Sequence, residues 1–390
     1  MRKRVREVEK RRHLSRRIVA LTLLFALLGP LCRIEATAAG SGPERPLRGS
    51  SRLTVSLEET AADWQASVDR CMRTGEWRRD LIEVAKTQLG YCESSTDTRE
   101  INGVNCSYTR YGDFMDSAES VVYGPWCASF VSFCLYYAGV AMPLSSGCSA
   151  MIRKLVDVGY YRPAGEYDPR PGDLIFFYSG LERDAEKLNS GHMGIIVEIR
   201  NGVITTIEGG RQIVMYFQHD MAKEGNRILG YAEIPDNPNY RTVTDEEGLV
   251  SVSGILPEGV TVQTSRLTRA QVAPLMQEEV LCCAYEVALM LDGKKYEPKR
   301  PVSVYLHQEG LDAEGARVIQ MIGYEEGREP KLCPLYYIRA DEQGVSFVTC
   351  FMSGFAAMRP APPLPDETEG QEKSAAAEAD KGASRSFGRT

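Results

Sequence analysis

The segment HMGIIVEIRNGVITTIEGG, residues 192–210, reads as two strands joined at Asn201-Gly202. That dipeptide suits a hairpin turn, because both residues tolerate positive φ. Two registers compete. A two-residue turn would set Arg200 against Val203 and Ile195 against Glu208, leaving Glu208 on the face away from His192. A three-residue turn over 200–202 sets Ile199 against Val203, Val197 against Thr205 and Ile195 against Ile207. The second makes one face apolar and gathers His192, Gly194, Glu208 and Gly210 on the other. A one-residue slip moves every side chain across the sheet, so the apolar match selects the second register. Glu208 then lies diagonal to His192, within reach of its imidazole.

Outward from this hairpin, DLIFFY (173–178) and ILGYAEI (228–234) are further strand-like runs. N-terminal to them, EWRRDLIEVAKTQL (76–89) places Leu81, Ile82, Ala85 and Leu89 on one helical stripe, with Gly90 at the C-terminal capping position. YCESSTDTREINGVNCSYTRYGD (91–113) reads as loop. Helices followed by an antiparallel meander indicate an α+β unit. PDNPNYRTVTDEEG (235–248) has linker composition. Beyond it, LVSVSGIL, VTVQTSRL, CCAYEVALML, PVSVYLH, RVIQMIGY, LYYIRA and VSFVTCFM alternate with turn residues. About seven short strands of this kind suggest a β-sandwich.

A second chemical signal is GPWCASFVSFCLYYAG (124–139). Pro125 suits a first helical turn and Gly139 a C-terminal cap. Cys127 therefore stands at a helix N-terminus, where free amides and the macrodipole favour a thiolate. Cys134, between Phe133 and Leu135, reads as a buried apolar residue instead. A thiol nucleophile needs a base. His192 begins a strand after small residues, whereas His219 and His307 have no special sequence context. Glu208 is positioned to orient the imidazole.

These residues resemble a CHAP domain, the cysteine- and histidine-dependent amidohydrolase/peptidase family, over roughly residues 78–235. GPWCASFVSFCLYYAGV is similar to the family's nucleophile helix, RPGDLIFF to its strand after a Gly-Asp turn, GHMGIIVEI to its histidine strand and TIEGG to its acid segment. The resemblance implies a papain-like fold, with Cys127 as nucleophile, His192 as base and Glu208 as orienting acid. It also implies cleavage of an amide bond in a peptidoglycan stem peptide or cross-bridge, by an amidase or endopeptidase that uses no cofactor. Many members carry Asn two residues after the acid, where this chain has Gly210. Asp173, in the turn pattern, is expected to be structural. The sandwich resembles β-rich accessory modules of exported Gram-positive proteins.

The chain has 390 residues and a formal charge of −7. Its start is a basic stretch carrying net +7, then IVALTLLFALLGPL, then a small-x-small site at Ala36-Thr37-Ala38. This is the pattern of a secretory signal peptide; an uncleaved anchor is the alternative. Without it the chain stands near −14, which disfavours nucleic-acid binding. Ten cysteines would remain in a compartment that permits pairing, and Cys92 and Cys106 are candidate partners across a loop. No CxxC pair or Cys/His cluster has metal-ligand spacing.

The expected organisation is a signal peptide (1–38), a linker (39–67), a CHAP hydrolase domain (68–235), a linker (236–248), a β-sandwich (249–358) and a disordered tail (359–390). The expected protein is a secreted or cell-surface monomer. Two rival functions are a non-catalytic adhesion protein with a relict first domain and a papain-like acyl transferase.

Overall fold

The computed structural model describes residues 68–361, except 117, 181–187, 224–225, 277–278, 312–315 and 324–327. The signal peptide, first linker and most of the tail lie outside these residues. Among the described residues, no helix is long and apolar enough to cross a membrane.

The first part is mixed α and β. Its helices are α1 (Trp77–Thr87), α2 (Arg110–Met115), α3 (Glu119–Val122), α4 (Cys127–Ala138) and α5 (Cys148–Asp157). Its strands are β1 (Thr98–Ile101), β2 (Val104–Ser107), β3 (Tyr161–Pro163), β4 (Leu174–Tyr178), β5 (Ser190–Arg200), β6 (Val203–Arg211), β7 (Ile213–Asp220) and β8 (Ile228–Ala232). Strands β3 to β8 form one antiparallel sheet in the order β3-β8-β4-β5-β6-β7. One face of it, with Leu174, Phe176, Met193, Ile195 and Ile207, shares a core with Phe130, Phe133 and Leu135 of α4 and Met151 and Ile152 of α5. The opposite face carries a smaller cluster that includes Ile175, Phe177, Ile196 and Ile204.

Helix α1 follows the expected stripe. Glu76 caps it by accepting from the Arg79 amide, and Leu81, Ile82 and Ala85 are buried. Helix α4 begins at Cys127, one residue after an N-cap at Trp126, so Pro125 precedes the helix rather than opening its first turn. Gly139 ends α4 at φ +72°, the left-handed cap its sequence suggests. Helix α5 has no counterpart in the sequence reading.

The hairpin corrects the expected turn while keeping the expected face. Asn201 and Gly202 both have positive φ, 50° and 77°, and Arg200 pairs with Val203. The turn is therefore the two-residue kind. Ile195 nevertheless pairs with Ile207, because a β-bulge at Val197 absorbs one residue; Thr205 pairs with Glu198 instead of Val197. The bulge reconciles a turn preferred for its twist with a register preferred for its apolar face.

The stretch 91–113 is also more ordered than a loop. β1 and β2 pair around Asn102-Gly103, at φ 52° and 81°. Their residues are largely exposed, so no apolar alternation marks them.

The second part holds β9 (Tyr240–Thr244), β10 (Val250–Ile255), β11 (Thr261–Arg266), β12 (Glu279–Leu291), β13 (Lys294–Tyr296), β14 (Val302–His307), β15 (Arg317–Ile322), β16 (Lys331–Cys333), β17 (Tyr336–Asp341), β18 (Gly344–Thr349) and β19 (Gly354–Pro360). Two antiparallel sheets, ordered β17-β18-β14-β10-β9 and β11-β12-β19-β15-β16 with β13 on β12, face a common core of Val252, Val304, Phe347, Tyr285, Leu289 and Phe355. All seven strand-like runs become strands. The supposed linker 236–248 contains β9, an edge strand on β10. The supposed tail begins inside β19, whose Ala356 and Ala357 are fully buried between β12 and β15. Small side chains hide a central strand from a reading based on β-branched residues.

The two parts meet on the α1 side of the first sheet. The Asn237 side chain donates to the Gly75 carbonyl at 2.9 Å, the Met72 amide donates to the Tyr337 hydroxyl at 3.2 Å, and Arg339 lies 3.6 Å from Glu83.

Candidate active site

Three local irregularities bring the site together. Trp126 is held by Tyr111, which stacks on it at 5.5 Å, and by Glu93, which accepts its indole N–H at 2.9 Å. Its ring abuts Gly209, where a Cβ would overlap it. Gly210 follows at φ +97°, in an irregular stretch of the β6–β7 pairing between Glu208 and Arg211. A Cβ there would stand only 3.0 Å from the Cys127 Cβ and 3.1 Å from its amide nitrogen. The two glycines let the N-terminus of α4 sit directly on β6. Any side chain at 210 would be strained by φ as well as crowded, so this position suits glycine.

The other two irregularities aim the imidazole and make room for the acid. His192 pairs with Phe177 across β4 and β5, and the ladder slips at Gly191 just beyond. The two rings lie 5.9 Å apart, nearly parallel. Gly194 faces Glu208, and a Cβ there would come within 2.6 Å of the Glu208 Cγ. Its missing side chain leaves the channel through which Glu208 reaches His192.

Glu208, 1% exposed, accepts from His192 Nε2 on one carboxylate oxygen at 2.7 Å. Its other oxygen accepts from the Thr206 hydroxyl and from His219 Nε2, each at 2.6 Å. Burial alone would raise the carboxyl, but the two histidine contacts outweigh it and hold Glu208 down at about 2. Burial likewise works against a charged His192. Hydrogen bonds to Cys127 and Glu208 prevail and lift it from 6.5 to about 9. With Nε2 committed to Glu208, Nδ1 is the nitrogen left to meet the sulfur.

Cys127 is 5% exposed. A hydrogen bond from Cys148, whose sulfur lies 3.3 Å away, is the main influence lowering its thiol well below the ordinary value. Burial opposes this; His192 and the Ala128 amide add to the lowering. No side chain caps α4, so its first amides remain open to a negative charge. Cys127 and His192 thus influence each other's protonation, and His192 is bonded to Glu208. At neutral pH the balance favours thiolate, imidazolium and carboxylate.

His219 was not distinguishable in the sequence. It lies within β7 and joins Glu208 from the neighbouring strand. The only sequence signal is that β7 must follow β6 in the meander. Phe177 covers both imidazoles, with its centroid 4.6 Å from that of His219. His307 is remote, on β14, bonded to Ser251 at 2.8 Å. A cavity of about 610 Å³ runs beside His192, His219 and Gly210, with Gln218, Lys223 and Arg227 on its walls. Cys127 is not among the residues that line it, and its sulfur meets that of Cys148.

Asp173 is fully buried and structural in its contacts. It accepts from the Arg170 amide and the Tyr167 hydroxyl at 2.8 Å, from the Ile234 amide at 3.0 Å, and from Arg78. Cys92 and Cys106, expected as partners, are both free; their thiols turn to the carbonyls of Gly90 and Val104. The hairpin β1–β2 separates them by pairing Cys106 with Arg99, while Cys92 bridges to Ile213.

Residues 118–210 match the family model of the CHAP domain. The chain carries a CHAP domain. No curated protein matches the chain significantly. The CHAP match encloses Cys127, Cys148, His192 and Glu208 and stops short of His219. CHAP domains are in general amidases or peptidases that act on peptidoglycan, and the match indicates an enzyme of that class.

Proposed function

We propose that this protein is an exported cysteine hydrolase that cleaves an amide bond in peptidoglycan, in the stem peptide or cross-bridge. Residues 68–235 would form the hydrolase and the two-sheet part an accessory module. The observation that carries this reading is the convergence of Cys127, His192 and Glu208 on one place, with Glu208 Oε2 at 2.7 Å from the imidazole and Cys127 and His192 shifting each other's protonation.

In this mechanism the Cys127 thiolate attacks the carbonyl carbon of the scissile amide. The developing oxyanion is held by the open amides of the first turn of α4, among them that of Cys127. His192, as imidazolium, gives its proton to the leaving nitrogen. A water molecule, deprotonated by the same imidazole, then attacks the thioester and releases the acyl group. Glu208 keeps Nε2 protonated, so that Nδ1 faces the reaction, and stabilises the cation. Thr206 and His219 hold the far carboxylate oxygen.

Purified sacculi digested by the wild-type chain should yield new peptide or amino-sugar termini by mass spectrometry, and their identity names the bond. Cys127→Ala should reduce product to background. Equal digestion by the variant would overturn the assignment. Addition of primary amines that yields cross-linked instead of hydrolysed product would make the protein an acyl transferase.

A further inference from the structure

Cys148 is a second thiol inside the site, and no step of the mechanism above takes place on its sulfur. It is the first residue of α5, 7% exposed, and its sulfur is 3.3 Å from that of Cys127. Cys92, Cys106 and Cys282, by contrast, turn to backbone carbonyls. Each sulfur of the close pair stands at a helix N-terminus, which favours the anionic form needed for exchange. The hydrogen bond divides the roles. It lowers the Cys127 thiol and raises that of Cys148, so one sulfur is a thiolate and the other keeps its proton.

The surroundings allow the pair to close. A disulfide needs about 2.05 Å between sulfurs, so the two must approach by a little over an ångström. Gly147, the N-cap of α5, has open space around it: a Cβ there would meet nothing nearer than 3.9 Å. Ser149, one residue on, is tied to β5 through Ser190, accepting from its amide at 3.0 Å and donating to its carbonyl at 3.1 Å. The start of α5 is thus pinned to β5, with an uncrowded glycine on the other side of Cys148.

We propose that Cys127 and Cys148 form a reversible disulfide that switches off the nucleophile and protects it from irreversible oxidation. This rests on the reading of Cys127 as the nucleophile. With hydrogen peroxide as oxidant, the Cys127 thiolate attacks one peroxide oxygen. An S–O bond forms, the O–O bond breaks, and hydroxide leaves and takes up a proton as water. The Cys148 sulfur then attacks the sulfenic sulfur. The S–S bond forms, the S–O bond breaks, and a second water departs with the Cys148 proton. Two thiols have lost two electrons and peroxide has gained them. A thiol reductant reverses the bond by exchange. Without Cys148, the sulfenic acid would proceed to the sulfinic form, which thiols do not reverse.

The test uses the full chain, reduced with dithiothreitol, desalted, exposed to hydrogen peroxide and alkylated. Chymotrypsin then separates the peptides, since Phe130, Phe133, Tyr136 and Tyr137 lie between the two cysteines. The expected result is a peptide pair linked through Cys127 and Cys148 that disappears on renewed reduction, with wall lysis lost and regained in step. In Cys148→Ser, peroxide should leave Cys127 as sulfinic acid, unrecovered by dithiothreitol. Sulfinic Cys127 in the wild type, or its pairing with another cysteine, would overturn the proposal. Lysis by the reduced protein without the linked peptide would refute the switch alone. The linked peptide without lysis by the reduced protein would refute the hydrolase reading and leave the disulfide standing.

Discussion

Asp173 and Glu208 are two buried carboxylates of the same six-stranded sheet, one in the turn just before β4 and the other near the end of β6. They are satisfied in different ways. Asp173 accepts from two backbone amides, a tyrosine hydroxyl and Arg78, which is itself bonded to the Ile234 carbonyl. Its donors are fixed and pull chain segments together from 78 to 234. Glu208 accepts from two imidazoles and a threonine hydroxyl. One of these donors, His192, loses its extra proton only as pH rises through about 9. Both burials are costly and both are compensated. One compensation ties the fold together, while the other places a movable proton next to a thiol.

Four tests can break or sharpen this contrast, beginning with the largest effect. Asp173→Ala leaves Arg78 and two amides without their acceptor, and a buried pair broken on one side costs about 3–5 kcal/mol. A lower urea midpoint at unchanged slope should report it. Lost lysis at unchanged stability would place Asp173 in the chemistry. Glu208→Gln should do the reverse: kcat/KM on sacculi falls on the order of 10²-fold, while the midpoint moves less than in Asp173→Ala. A larger shift in midpoint than in rate would make Glu208 a second structural acid.

The pH dependence separates the two carboxylates again. His192 is raised to about 9, so lysis should fall as pH climbs through that value and the imidazolium is lost. The associated stability runs the same way: present in full below 6.5, it disappears as pH rises through about 9. Glu208 has the opposite sign, its contribution being present above 4.5 and lost as pH falls through about 2. An alkaline limb near 7 in the rate profile would contradict the raised His192. The smallest effect belongs to His219→Ala. It removes one donor from Glu208, so the carboxylate bears more strongly on His192. The alkaline limb should move to higher pH and kcat should fall a few-fold. A limb that stays put would reduce His219 to packing.

Much of the helix–sheet part was legible because its signals are local. Apolar spacing marks α1, Gly139 stops α4, and apolar matching of Ile195 with Ile207 puts His192 and Glu208 on one face. The details that failed were those where two local preferences compete. Asn201-Gly202 wants a two-residue turn and the isoleucines want a different count, and only the bulge at Val197 satisfies both. Exposed β1 and β2 and alanine-rich β19 lack the alternation by which strands are recognised.

By itself, then, the sequence determined the helix that begins at Cys127, the meander that follows and the face shared by His192 and Glu208, because these depend on periodicities within a few residues. It pointed to a family through motifs of the same short range. The tertiary structure alone decided that His219 joins Glu208, that Gly209 and Gly210 seat α4 on β6, and that Cys148 meets Cys127. Those contacts join segments whose separation along the chain carries no pattern. They exist because sheet order and helix packing close the distance, and because the missing side chains at 194, 209 and 210 leave the space.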